Sequence, residues 1–178
     1  PAPDVDQTFT VFTLNQTITF NAFGAASYGD ADVTPSAVSS TGGAVTYTID
    51  PSSTATCSVV AGKIHFTTVG TCVVSANAVE TDQFKAATQQ QRTLTIGKKA
   101  LTITPTIASN SFWTTDTFPT LGFTSTGLAA GETITGVTYN FNDGTSTVTT
   151  NPTAAGYYTM TATTPVFGVG SADNYTAT

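Results

Sequence analysis

The chain has 178 residues, enough for one large or two small domains, and 39% of them are hydrophobic, so it can bury a core. Only 9% are charged, the net charge is −6, and five Lys or Arg are present. Phosphate binding needs clustered cations, so neither nucleic acid nor an anionic membrane is an expected partner. No apolar run reaches the ~18 residues that a bilayer-spanning helix needs, so no membrane insertion is expected. Threonine takes the place of charge, with 41 copies. It is β-branched and polar, which suits the wet face of a strand.

Alternation with a period of two dominates the chain, and no stretch keeps a helical period for three turns. Thr8-Phe9-Thr10-Val11-Phe12 comes first. Ile18 and Phe20 then alternate with Thr17 and Thr19, and Val45, Tyr47 and Ile49 with Thr46 and Thr48. Ile64 and Phe66 alternate with Lys63 and His65. Cys72, Val74, Ala76 and Ala78 share one face of a later run, as do Leu94 and Ile96 of the next. Thr41-Gly42-Gly43, Ala61-Gly62 and Val69-Gly70 punctuate these runs, and Ala61-Gly62 has the form of a tight hairpin. About seven short strands are expected over residues 16–97, the pattern of an antiparallel β-sandwich. Beyond them, Leu101 and Ile103, Leu121 and Phe123, Val137 to Phe141, and Tyr158 to Ala162 predict further strands, with a hairpin turn at Asn142-Asp143-Gly144. Gly127 to Glu132 is either a loop or one helical turn.

An internal echo organises the chain. Thr8-Phe9-Thr10-Val11 matches Thr93-Leu94-Thr95-Ile96, and Thr17-Ile18-Thr19 matches Thr102-Ile103-Thr104, each pair 85 residues apart. Each copy reads as a last strand, a short joint and a first strand. The expected division is a strand extension over 1–13, a β-sandwich module over 14–98 and a second β module over 99–178. Two cysteines, Cys57 and Cys72, fit a disulfide formed in an oxidising compartment, the alternative being two buried thiols.

Several short motifs carry a family resemblance. Gln16 to Phe20, Tyr28-Gly29-Asp30, Val45-Thr46-Tyr47, Cys57, Gly62-Lys63-Ile64, Gly70-Thr71-Cys72 and Phe84-Lys85-Ala86-Ala87 resemble bacterial immunoglobulin-like repeats. Lys99 to Ile103, Gly127-Leu128, Gly131-Glu132-Thr133, Gly156-Tyr157-Tyr158 and Asn174-Tyr175-Thr176 resemble the MBG repeats of adhesin-like surface proteins, with Trp113-Thr114-Thr115-Asp116 where that family usually has Tyr-Gly-Asp. The resemblance implies an extracellular, cell-surface spacer, stalk or adhesive repeat, with no catalytic residues and no cofactor to carry over.

Chemistry-bearing residues are sparse. The single histidine, His65, falls on a polar strand face, so a catalytic triad would rest on it alone. Asp30 with Asp32, and Asp4 with Asp6, have the spacing of acids that join a calcium site at a module joint, or of plain exposed loop acids. Phe112, Trp113 and Tyr157 are of the type that stacks on sugar rings, or that packs in a core. Lys63, Lys85, Lys98 and Lys99 raise an isopeptide cross-link, which the placement of Lys63 on a wet face and of Lys98-Lys99 in a joint argues against. The expected function is a structural subunit or segment of a bacterial surface fibre, pilus or adhesin stalk. The alternative is a carbohydrate-binding accessory module of a secreted protein. Expected partners are identical subunits or neighbouring modules head to tail, and a glycan or protein receptor. The echo further suggests that Thr8, Phe9, Thr10, Val11 and Phe12 form a donor strand completing the second module of a neighbouring subunit.

Overall fold

A computed structural model describes residues 12–108 and 117–177. The protein is all-β, with 51% of the described residues in strands. Among the described residues, helix is confined to two three-residue 3-10 turns, Pro51–Ser53 and Ala172–Asn174. The strands are β1 (Ile18–Phe20), β2 (Ala26–Ser27), β3 (Ala37–Ser39), β4 (Thr46–Ile49), β5 (Cys57–Val60), β6 (Lys63–Phe66), β7 (Gly70–Asn77), β8 (Gln90–Gly97), β9 (Lys99–Ile107), β10 (Leu121–Thr126), β11 (Thr133–Asn142), β12 (Thr147–Val148), β13 (Thr159–Val169) and β14 (Tyr175–Ala177). Eight of them fall between residues 16 and 97, where about seven were expected; β2 and β3, two and three residues long, are too short to show alternation.

Two compact units divide the described chain. Unit 1 runs to Ala25 and continues through Asp32–Thr67 and Thr71–Thr95; unit 2 takes Ala26–Ala31, Thr68–Gly70 and the chain from Ile96.

In unit 1, β1 pairs antiparallel with β3, β4 with β7, and β5 with β6. The β5–β6 turn is Ala61-Gly62, with φ of 49° and 78°, the left-handed pair that matches the twist of a two-residue hairpin. β8 lies on the other side of β7 from β4. Ala87 N–H donates to Ala78 O (3.0 Å), Gln89 Nε2 to Asn77 Oδ1 (2.7 Å) and Gln91 Nε2 to Ser75 Oγ (3.0 Å), so β8 runs antiparallel to β7. With a neighbour on both sides, β7 buries Cys72, Val74 and Ala76 completely, at 0% exposure each. Ile18, Phe20, Ile64, Phe66 and Leu94 complete the core. The buried Gln16 amide is satisfied on both ends: Nε2 donates to Val79 O and Lys85 O, and Oε1 accepts from Ser39 and Thr41 hydroxyls. Cys57 and Cys72 form a disulfide, as the sequence led us to expect, with Cα atoms 5.9 Å apart.

In unit 2, β9 is central, antiparallel to β10 and parallel to β14. β11 pairs with β12 and β13 in a second sheet. Asn142-Asp143-Gly144 is the β11–β12 turn, as its residues predicted, with Gly144 at φ 95°. The segment 127–132 is a turn, with Glu132 N–H donating to Ala129 O (3.2 Å). Gly127 enters it at φ 98°, where a Cβ would lie 2.3 Å from Ala100 O, so only glycine fits. Leu101, Ile103 and Tyr175 are buried, packed by half-buried Phe123, Leu128, Ile134, Val137, Ala162 and Phe167.

The two units share a closing device. In unit 1, Leu14 at the start of the first-strand segment bridges Phe84 in parallel, through Leu14 N–Gln83 O and Lys85 N–Leu14 O, both 2.8 Å. In unit 2, Lys99 at the start of β9 pairs in parallel with Tyr175. Leu14 and Lys99 are 85 residues apart, and the closing segments read Asp82-Gln83-Phe84 and Asp173-Asn174-Tyr175.

The disulfide closes a 15-residue separation, so reducing it, or making Cys57→Ala with Cys72→Ala, should lower the stability of unit 1 by about 3 kcal/mol in the chain-entropy picture. Urea denaturation with and without reductant measures this. Two alkylatable thiols in the native, unreduced protein would contradict the bridge.

Candidate functional site

Two features of unit 2 stand out: a carboxylate held by two phenols, and a sheet edge. The Tyr28 hydroxyl donates to Glu132 Oε1 (2.8 Å) and the Tyr175 hydroxyl to Glu132 Oε2. The Tyr175 oxygen accepts from Ala129 N–H (2.8 Å), inside the turn that carries Glu132. Tyr28 meets Tyr175 edge to face at 5.8 Å, and Phe167 stacks on its ring at 5.4 Å. Beside them, the buried Asn174 Oδ1 accepts from the Thr68 hydroxyl (2.6 Å) and Val69 N–H (3.1 Å). Gly170 passes so close that a Cβ there would lie 2.5 Å from Glu132 Oε1, and its φ is 104°. Burial first, then the bond to Glu132, pushes the Tyr175 phenol up to about 12; Tyr28 is raised for the same reasons. Both donors of the tie are thus protonated across the neutral range, and each carboxylate oxygen is taken by a phenol.

The sheet edge is β13. Its inner neighbour is β11, and among the described residues no strand pairs on its other side. Met160, Ala162 and Phe167 on it are only half-buried. Val166 and Val169 are each 58% exposed.

The sequence-derived candidates are dispersed. Of the donor-strand residues, Thr8, Phe9, Thr10 and Val11 lie outside the described residues, while Phe12 is 82% exposed. Asp30 Oδ2 accepts from Ser27 N–H (2.8 Å), whereas Asp32 faces His65 Nδ1 (2.9 Å), so the two acids serve different partners. Asp4 and Asp6 lie outside the described residues. Among the described residues no three His, Cys, Asp or Glu side chains gather as a metal would require. The His65–Asp32 contact is solvent-exposed, where polar contacts add little stability. Phe112 and Trp113 fall outside the described residues, and Tyr157 is 98% exposed. Lys63, Lys85 and Lys98 are exposed and Lys99 is half-buried. An open apolar cleft of about 350 Å³ beside Tyr47, Ile49 and Cys57 holds no titratable pair.

Sequence reasoning missed the Glu132 tie. Tyr28, Glu132 and Tyr175 each sit in a short motif, but the bonds span 104 and 43 residues, and nothing local signals such a pairing. No helix among the described residues is long and apolar enough to cross a membrane. No protein-family model, curated protein or solved structure matches the chain.

Because the Tyr175 pKa is raised on folding, its contribution is complete below the ordinary value of 10.0 and is lost as pH rises through about 12. Unit 2 should therefore lose stability between these values, and Tyr175→Phe should flatten that slope while lowering stability at pH 7. Thermal melts at pH 8 to 12 test this; an equally steep alkaline loss in Tyr175→Phe would contradict it.

Proposed function

We propose that the chain is a structural segment of an extracellular bacterial surface fibre, pilus or adhesin stalk. In this reading it comprises two tandem immunoglobulin-like β modules, the first of the bacterial immunoglobulin-like type and the second of the MBG type. The observation that carries it is repetition: each unit holds a parallel closure by an Asp-x-aromatic segment, a single bridge at Leu14–Phe84 and a strand pair at Lys99–Tyr175, with Leu14 and Lys99 85 residues apart. A stalk is built from self-closing units on one chain, and repetition is how such proteins gain length. The disulfide suits an oxidising, extracytoplasmic setting. Thr-rich outward faces keep the strands wet without charge. A glycan-binding accessory module is the second reading, favoured by the 98% exposure of Tyr157.

Stretching single molecules between their ends separates the two readings. A stalk segment should unfold in two discrete steps and refold on relaxation. Reductant should lengthen one step by about 5 nm, the extended length of the chain between the cysteines. Unfolding at negligible force, together with glycan-array binding that is lost in Trp113→Ala or Tyr157→Ala, would replace the stalk by the glycan-binding module.

A further inference from the structure

β7 and β13 hold corresponding places in their sheets. β7 lies against β4 and β13 against β11, and each is followed by the segment that closes its unit in parallel. They differ in their outer neighbour. β8 covers β7 and carries Leu94 and Ile96, which are 1% and 2% exposed. Under that cover the inward residues of β7 are at 0%. β13 has no such cover among the described residues, and its inward Met160 and Ala162 stay half-buried. Among the described residues, the edge that β8 covers in unit 1 thus has an uncovered counterpart at β13 in unit 2.

Among the described residues the edge is also unguarded. Sheet edges that face water are ordinarily blunted by charge, proline or a bulge. Thr159 to Thr163 has none of these. Only beyond it do Thr164, at φ 48°, and Pro165 end the regular pairing surface. Five residues of open edge are thus offered.

We infer that Thr159 to Thr163 of β13 accepts a strand from a second copy of this chain, the donor being Thr8-Phe9-Thr10-Val11-Phe12. The inference rests on the structural-segment reading above and adds how copies would join. The donor is chosen by pattern: Thr8-Phe9-Thr10-Val11 repeats Thr93-Leu94-Thr95-Ile96, the stretch of β8 that covers the corresponding edge in the first repeat. Phe9 and Val11 take the roles of Leu94 and Ile96 in the slot, and Thr8 and Thr10 face water. The donor is five residues long, as is the open edge. Phe12 at 82% and Leu14 at 63% exposure are apolar side chains at the root of the donor. Backbone pairing supplies affinity and the two apolar side chains supply register. Since donor and acceptor are different surfaces, each added copy offers a fresh acceptor, and assembly proceeds head to tail.

The test uses the whole chain, a chain lacking residues 1–13, and the double variant Phe9→Asp with Val11→Asp, which leaves the acceptor untouched. Sedimentation velocity of the whole chain should show mass rising with concentration beyond a single copy, with filaments by electron microscopy; both other chains should stay monomeric. A synthetic peptide of residues 1–13 should bind the shortened chain and raise its melting temperature, and the peptide with both aspartates should not. A whole chain that stays monomeric at hundreds of micromolar overturns the inference. If the shortened chain nevertheless binds the peptide, the strand is supplied from its own chain. Assembly that survives deletion of 1–13 overturns it equally. A monomer that still unfolds in two force-resisting steps would keep the stalk reading and remove only the donation.

Discussion

The pairing of β8 along β7 is the interaction on which unit 1 depends. It places Leu94 over residues of β7 that are wholly shielded from water, and it satisfies the outward backbone groups of that strand. Removing a buried leucine of this kind costs about 2–5 kcal/mol in most cores, and an unpaired edge adds backbone groups that must be solvated. The half-buried side chains of β13 show what the same arrangement looks like with that neighbour missing among the described residues.

Both units also contain a polar side chain, buried at Gln16 and half-buried at Glu132, that ties distant segments. Gln16 bonds the 79–85 stretch and β3, and Glu132 receives hydroxyls from Tyr28 and Tyr175. No buried side-chain polar atom of the described residues lacks a partner. Such groups would cost a few kcal/mol each if left unpaired, so they penalise any register that breaks them. In a Thr-rich chain whose strands resemble one another, hydrophobic alternation alone tolerates slippage by two residues; a single amide or carboxylate with fixed partners does not.

Much of this was legible in the chain. Alternation at Ile64 and Phe66, at Cys72 to Ala78 and at Leu94 to Ile96 marks strands because one face of each is buried, which is the cause of the pattern. Ala61-Gly62 announced its hairpin because only a left-handed pair links strands that tightly. What could not be read was lateral order. The parallel pairing of β14 with β9 joins residues about 75 positions apart, and Tyr28-Gly29-Asp30 belongs to unit 2 although it stands among the strands of unit 1 in sequence. Alternation records which face a side chain takes and says nothing of which strand lies beside it. The repeat of Asp82-Gln83-Phe84 as Asp173-Asn174-Tyr175 was the available signal for the shared closure.

The scarcity of cations has a consequence for proteolysis. Proteases that cut after lysine or arginine are offered five residues in the whole chain. Lys63, Arg92 and Lys99 lie within β6, β8 and β9, where cleavage requires the sheet to open first. Lys85 is tied by its N–H to Leu14 O and by its carbonyl to the Gln16 side chain. That leaves Lys98, the one residue between β8 and β9, as the bond such an enzyme meets without unfolding a sheet. A surface wetted by threonine instead of lysine thus resists digestion as well as remaining hydrated.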